Sequence, residues 1–473
     1  MSATSPKPRR ASSTRWVTCW ATSIQGPYPV GNPSAQPDLS RVFPSPEIGA
    51  NDQSFRLIIK PEYWGGKARL RFSNLLGTQP VTFDGVFAGL QWSGSALLPG
   101  TNCAVTFGGK KSVTLAAGAS LWSDAVALPF ATPPAKPGSK PGITPGMHLR
   151  GRKLAVSFHV AGQSGPMSWH AKALQSSYVT PPGAGAKGQV ETEDAFPFAT
   201  ASWFFLDALD MAAPKEVGAI VAFGDSITDG TNSTITGDDR WPDVLARRLN
   251  AAAGSAAETD GPHAAGSGGT RWVVVNQGIG GNQVAGPKTY SPQQPFPGGP
   301  SALMRLERDV LSLSGVKAVI WLEGINDFSK NGNATVKAVA NGMRAGVAQM
   351  RARIPDVKVI GATLTSALAA TPPAHGFKLE DDKRKQLNHF IRHSGVFDGV
   401  ADFDRATTNP RTGEMRDEFV PDNTAGGPGD KLHPNRLGYQ AMGMAIDLSL
   451  FGVRATMRTP ANLPAVNKPA KKR

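Results

Sequence analysis

Four short segments hold side chains that could do chemistry together. They are 223–230 (FGDSITDG), 276–282 (NQGIGGN), 324–327 (GIND) and 430–435 (DKLHPN). Ser226 offers a hydroxyl, a weak nucleophile until a base takes its proton. His433 is the candidate base. Asp430, three residues earlier, could bond the other ring nitrogen, fixing the tautomer and stabilising the imidazolium. Attack on a carbonyl creates an oxyanion, which needs preorganised donors. The backbone N–H of Ser226, the backbone N–H of Gly281 and the side-chain amide of Asn326 are suitable. Glycine at 281 lets the backbone approach a substrate closely. Asp225 is expected to hold the turn around Ser226 rather than move a proton. Such a mechanism needs no cofactor, neither a metal nor an organic group.

These segments must be carried by elements that bring them to one place. From Val217 onward, apolar runs at 217–223, 272–275, 316–322, 357–364 and 399–403 alternate with helical patterns. Trp241, Val244, Leu245 and Leu249 line one such helix, and Leu303, Leu306, Val310 and Leu313 a second. Val336, Val339, Met343, Val347, Met350 and Ile354 line a third, with Asn333 as its N-cap. A last helix is expected over about 435–450, with Leu437, Ala441, Met444 and Leu448 facing inward. Alternation of strand and helix predicts an α/β fold with a doubly wound, flavodoxin-like parallel five-stranded sheet. In such sheets sites form beyond the C-terminal ends of the strands. Three of the four segments follow a predicted strand directly, and the fourth lies beyond the fifth strand.

Between Trp16 and about Asp210 the pattern differs. Phe55, Leu57 and Ile59 alternate with Arg56, Ile58 and Lys60, and similar period-2 runs occur at 68–73 and 154–159. Gly65-Gly66, Pro99-Gly100, Gly108-Gly109 and Pro182-Gly183 read as turns. Residues 131–147 form a Pro/Gly-rich loop. An all-β sandwich, jelly-roll-like, is expected. The expected organisation is a disordered basic tail at 1–15, a β-sandwich accessory domain at 16–212, the α/β domain at 213–453 and a second basic tail at 454–473.

The four segments, in this order, resemble the four sequence blocks of the SGNH (GDSL-type) hydrolase superfamily over about residues 215–452. The resemblance implies Ser226 as nucleophile, Asp430 and His433 as the rest of a triad, and Gly281 and Asn326 as oxyanion donors. Residues 16–21 (WVTCWA), 54–57 (SFRL), 69–74 (RLRFSN) with Gly77, and 397–404 (FDGVADFD) are similar to a branch with an N-terminal β-domain. That branch includes xylanase-associated and acetylxylan-type esterases. It implies a serine esterase acting on short acyl groups, acetyl first, carried by carbohydrate. Two alternatives stay open. One is a lipase, phospholipase or thioesterase for longer acyl chains, with loops 286–300 and 366–379 forming an apolar cleft. The other is a non-catalytic polysaccharide-binding protein.

Other residues carry blander readings. His389 and His393, at i and i+4, could hold a metal, but a third ligand in a matching position is missing. His375 reads as a surface histidine, Arg240 and Trp241 as packing beneath the serine loop, and Asp327 as a cap or loop-ordering group. Trp64, Trp92 and Trp169 could stack on sugars but read first as packing. Gly278, Gly280 and Gly281 lack the GxGxxG pattern and the following Lys-Ser/Thr of a nucleotide loop. Cys19 and Cys103 lack metal spacing, allow one disulfide, and read as small core residues.

Composition sets the outer limits. The 473 residues suggest two to four domains at ~150 residues each. With 40% hydrophobic residues the chain can bury a large core. The net charge of +14 raises acidic partners, yet residues 1–15 contribute +4 and residues 454–473 contribute +6, which leaves +4 between them. No basic groove through the fold is expected, and no nucleic-acid partner. No apolar run reaches ~18 residues, so no transmembrane segment is expected. The first residues show no apolar export signal. A cytoplasmic location is expected as read, and a periplasmic or secreted one if the start lies upstream.

Overall fold

The computed structural model describes residues 14–131, 149–259 and 270–453. Most of the 131–147 loop and nearly all of both basic tails lie outside the described residues. Thr14 and Arg15 already belong to the first strand.

The first half of the chain is all-β. Its longer strands are β1 (Thr14–Ala21), β2 (Asn51–Ile59), β3 (Lys67–Ser73), β4 (Val81–Ser93), β5 (Ser112–Leu115), β6 (Ser120–Trp122), β7 (Leu154–Gln163) and β8 (Leu206–Pro214). In one antiparallel sheet β8 lies between β1 and β3, and β3 also pairs β6; in a second, β2-β7-β4-β5 are neighbours, with short strands at 177–179 and 198–200 beyond β2; a third, small sheet joins 26–27, 168–170 and 203–204. Between the two large sheets lies a layer of phenylalanines, with Phe55 stacked on Phe158 at 5.2 Å and Phe72 edge-on to Phe158 at 5.2 Å. Such pairs add to the burial of large apolar area. The alternation in β2 does not leave one face wet. Arg56 is fully buried, donates to Ser157 Oγ at 2.8 Å and Ser95 O at 2.6 Å, and stacks over Phe196. A guanidinium can be covered when carbonyls and hydroxyls meet its donors.

The second half alternates strand and helix. The parallel strands are β9 (Val217–Gly224), β10 (Arg271–Gly278), β11 (Val316–Leu322), β12 (Lys358–Ala362) and β13 (Gly399–Ala401), in the order β10-β9-β11-β12-β13. The helices are α1 (Ser226–Asp229), α2 (Trp241–Thr259), α3 (Ala302–Leu306), α4 (Ile325–Phe328), α5 (Val336–Arg353), α6 (Lys378–His393), α7 (Phe403–Thr407) and α8 (Arg436–Ala445). Both faces of this sheet are covered, as its unbroken apolar strands require. Ala219, Val221 and Phe223 belong to a core continuous with the β half. Ile220 and Ala222 pack with Trp241, Tyr439 and Met442 on the other side. Among the described residues, no helix is long and apolar enough to cross a membrane.

Three local expectations are corrected. α5 is capped by Thr335, whose side chain accepts from Ala338 N, while Asn333 sits two residues outside at φ 44°. The cap must directly precede the helix for its oxygen to reach the first free N–H groups. The 303–313 segment is not one regular helix, because α3 passes into a π-turn at Glu307–Leu311. α8 is rotated from its expected phase. Tyr439, Met442, Gly438 and Gly443 are its buried residues, while Leu437 and Met444 are 50% and 56% exposed. The glycines form the contact face: a Cβ on Gly443 would lie 2.5 Å from Val244 Cβ.

Candidate active site

The register of the parallel sheet puts three of the four segments side by side. Gly224 at the end of β9 is opposite Gly278 of β10 and Leu322 of β11. This is the switch point of the sheet, where the chain leaves β9 for neighbours on either side. A Cβ on Gly278 would lie 2.2 Å from Asp229 N, so the serine loop and the glycine loop meet there without room for a side chain.

α1 starts immediately beyond β9. Asp225 is its N-cap and accepts from Ile227 N at 3.0 Å; Gly230 closes it in the left-handed region at φ 111°. Asp225 is buried, and burial pushes its carboxyl well above the usual range despite the bond from Ile227. No hydrogen bond joins it to Ser226 Oγ or to the His433 ring; it holds the turn.

Ser226 Oγ lies 2.8 Å from His433 Nε2, and His433 Nδ1 lies 2.6 Å from Asp430 Oδ2. Asp430 Oδ1 accepts from the backbone N–H of Leu432 at 3.0 Å and of His433 at 2.9 Å, a tight turn that sets the imidazole over the serine. Burial raises the Asp430 carboxyl. The adjacent His433 ring and these hydrogen bonds outweigh burial and hold it well below the usual carboxylate range. An ionised Asp430 can only accept, so the Nδ1 proton belongs to the ring. Nε2 then faces the serine with a lone pair, poised to take its proton.

Ser226 is the first residue of a helix, so its N–H has no intrahelical acceptor. Gly281 has φ 81°, and its N–H has no acceptor among the described residues. A Cβ there would lie 2.8 Å from Asn32 Nδ2, so both torsion and space demand glycine. Asn326, in α4, donates one amide hydrogen to Asn282 O at 3.0 Å and keeps the second. Asp327 accepts from Val284 N at 2.9 Å and Ala285 N at 2.7 Å, so it orders the glycine loop. Burial pushes its carboxyl up to about 7. The structure therefore brings Ser226, His433, Asp430, Gly281 and Asn326 to one sheet edge, with Asp225 and Asp327 behind them.

Sequence reasoning missed a second layer. Arg305 is fully buried and donates to Gly224 O, Gln277 O and Asn282 Oδ1, each at 2.8 Å, so it ties the ends of β9 and β10 to the glycine loop. An arginine inside the apolar 303–313 pattern was the only signal. From the β half, His170 Nε2 lies 3.1 Å from Asp229 Oδ1, and Lys172 Nζ donates to Thr231 Oγ1 at 2.5 Å. No local pattern marks these residues.

The remaining candidates fall elsewhere. His375 is buried and bonded to Glu380 at 2.5 Å, not on the surface. His389 and His393 are exposed on α6. Among the described residues no group of three metal-ligating side chains is present. Arg240 packs against Gly230, and Trp241 is fully buried. Trp64 and Trp169 are buried and cannot stack on a ligand; Trp92 is 63% exposed. Cys19 and Cys103 are free thiols.

Comparison with known proteins gives these findings. The family model described as GDSL-like Lipase/Acylhydrolase matches residues 222–441. No curated protein matches. Similar solved structures include an aryl esterase from M. smegmatis, at 16% identity and TM-score 0.36, covering 50% of this chain and 100% of that one. A lipase/acylhydrolase from Enterococcus faecalis has 24% identity and TM-score 0.34, covering 50% and 96%. A carbohydrate acetylesterase from Sinorhizobium meliloti has 16% identity and TM-score 0.34, covering 48% and 95%.

Proposed function

We propose that this chain, whose residues 222–441 match the GDSL-like lipase/acylhydrolase family model, is a carboxylic ester hydrolase that works through an acyl-serine intermediate on Ser226. The observation that carries this reading is the continuous line from Ser226 Oγ through His433 to Asp430, at 2.8 and 2.6 Å. Ser226 Oγ attacks the ester carbonyl carbon while His433 Nε2 takes its proton. The carbonyl oxygen becomes an oxyanion held by the N–H groups of Ser226 and Gly281 and the free amide hydrogen of Asn326. When the tetrahedral intermediate collapses, His433 gives its proton to the leaving alkoxide. Water then attacks the acyl-serine with His433 again as base, releasing the acid and restoring Ser226. Asp430 stays ionised throughout and stabilises the imidazolium.

The substrate in this reading is a short acyl group, acetyl first, on a carbohydrate. It draws support from the N-terminal segments similar to those of xylan-acting esterases. The two large antiparallel sheets of the β half, with a layer of phenylalanines between them, support reading it as a β-sandwich. Acetate release from a panel of acetylated polysaccharides, with Ser226→Ala as control, tests the substrate class. A series of p-nitrophenyl esters tests acyl length. Activity lost beyond about four carbons supports the acetyl reading, because each misfit methylene is worth about 1–3 kcal/mol. Activity rising with chain length replaces it with a lipase-like one.

A further inference from the structure

The β half reaches the loop that carries Gly281. The Gly280 carbonyl accepts from Asn32 Nδ2 at 2.9 Å and from Gln25 Nε2 at 3.2 Å, both from the β half. Gln25 is fully buried, and its Nε2 also donates to Pro297 O at 2.5 Å on the far side of the same loop. Its own backbone is fixed on both sides, by Gln25 N to Trp169 O at 2.8 Å and by Tyr290 Oη to Gln25 O at 2.9 Å. The Gln25 Oε1 atom is buried without a partner among the described residues. An orphaned acceptor is costly, so the amide is held there for its two N–H bonds. On the other side, the Gly280 N–H donates to Asp229 Oδ2 at 3.2 Å, and Asp229 is held by His170, whose Nδ1 meets Ser23 O at 2.8 Å.

The peptide between Gly280 and Gly281 is planar and trans, so its C=O and N–H point in opposite directions. Whatever fixes the Gly280 carbonyl therefore aims the Gly281 N–H. A Gly-Gly unit is the most permissive backbone there is, and its own torsions do not hold it. We propose that Asn32 and Gln25 are positioning residues of the reaction: by gripping the Gly280 carbonyl they aim the Gly281 N–H at the oxyanion. The β half is then a working part of the catalytic apparatus, not an appended module. This rests on the reading of Gly281 as an oxyanion donor.

The test uses the full chain and p-nitrophenyl acetate, with kcat and KM measured separately for Asn32→Ala, Asn32→Asp, the Gln25→Ala/Asn32→Ala double variant and Asn326→Ala. The expected result is a kcat loss of about tenfold for Asn32→Ala and about 10²-fold for the double variant, toward the loss from deleting one oxyanion donor, with KM changed less than about twofold. Asn32→Asp keeps the shape but turns a donor into an ionised acceptor facing a carbonyl. Its kcat relative to wild type is expected to rise as pH falls and the introduced carboxyl gains a proton to donate. A purely structural role would give a ratio independent of pH. Because Asn32 is half-buried, its two single variants keep the test decisive if the double variant fails to fold. If Asn326→Ala loses activity while the Asn32 variants keep full kcat at every pH, the positioning role is overturned and the oxyanion reading stands. If Asn326→Ala also keeps full kcat, the oxyanion reading itself falls.

Discussion

Replacing Asp430 by Asn isolates the electrostatic part of the site from its geometry. Asp430 Oδ1 accepts two backbone N–H bonds, from Leu432 at 3.0 Å and His433 at 2.9 Å; Oδ2 accepts one, from His433 Nδ1 at 2.6 Å. An asparagine must present its oxygen to one side and its NH₂ to the other. Facing the oxygen to the backbone keeps two bonds and loses one, and each is worth about 0.5–1.5 kcal/mol, so that orientation wins. The turn therefore survives, but the NH₂ now faces Nδ1. The ring must offer a lone pair there and carry its proton on Nε2, toward Ser226. Nε2 then donates where it must accept, and the imidazolium loses its counter-charge. The expected kcat loss is about 10⁴-fold, or about 5 kcal/mol of barrier. Steady-state hydrolysis of p-nitrophenyl acetate measures it, with circular dichroism and a melting curve to show that the fold is kept. A well-folded Asp430→Asn protein within tenfold of wild type would refute the reasoning.

Other predictions follow from the same structure. Gly281→Ala forces a Cβ into the left-handed region and to 2.8 Å from Asn32 Nδ2; kcat should fall about 10²-fold or more, with about 1–2 kcal/mol of stability lost in denaturant melts. Arg305→Leu leaves the buried Glu323 without its cation, leaves Asp309 with Arg308 alone, and removes three bonds to the ends of β9, β10 and the glycine loop; unfolding in guanidinium should show a loss of about 3–5 kcal/mol, and a loss below about 1 kcal/mol would contradict the bridging role. Asp327, at about 7 when folded, sits above its ordinary value of 3.8. The folded state thus holds the extra proton between those values, and stability from this group falls as pH rises through that window. Against Asp327→Asn, wild type should lose relative stability from pH 4 to pH 8, on the order of 4 kcal/mol in all. The Asp430 carboxyl, held low, has the opposite sign: its contribution is present above about 4 and is lost as pH falls below it.

The four segments that meet at the sheet edge were legible because each is local. Each of the four segments is short, and three follow directly on an apolar run whose end the sequence marks with glycine or a polar residue. The β half was legible in its period-2 runs. Packing against glycine was harder to read. The phase of α8 was misjudged because Gly438 and Gly443, not its leucine and methionines, form part of the contact face. The cap of α5 was placed at an asparagine two residues too early. The layer behind the site left little local trace. Asn32 and Gly280 are 248 positions apart, and Gln25 and Gly280 are 255. A hydrogen bond between halves of a chain has no period and no spacing to detect. The same holds for Arg56, whose burial depends on carbonyls from loops about 40 to 140 residues distant.

The central claim is that Ser226 carries the acyl group. Rapid quenching of the enzyme with p-nitrophenyl acetate, followed by intact-mass and peptide analysis, reads this directly. One acetyl group is expected on the peptide containing Ser226 in the wild-type protein during turnover, and none in Ser226→Ala. An acetyl group on another residue, or undiminished ester hydrolysis by Ser226→Ala, would contradict it.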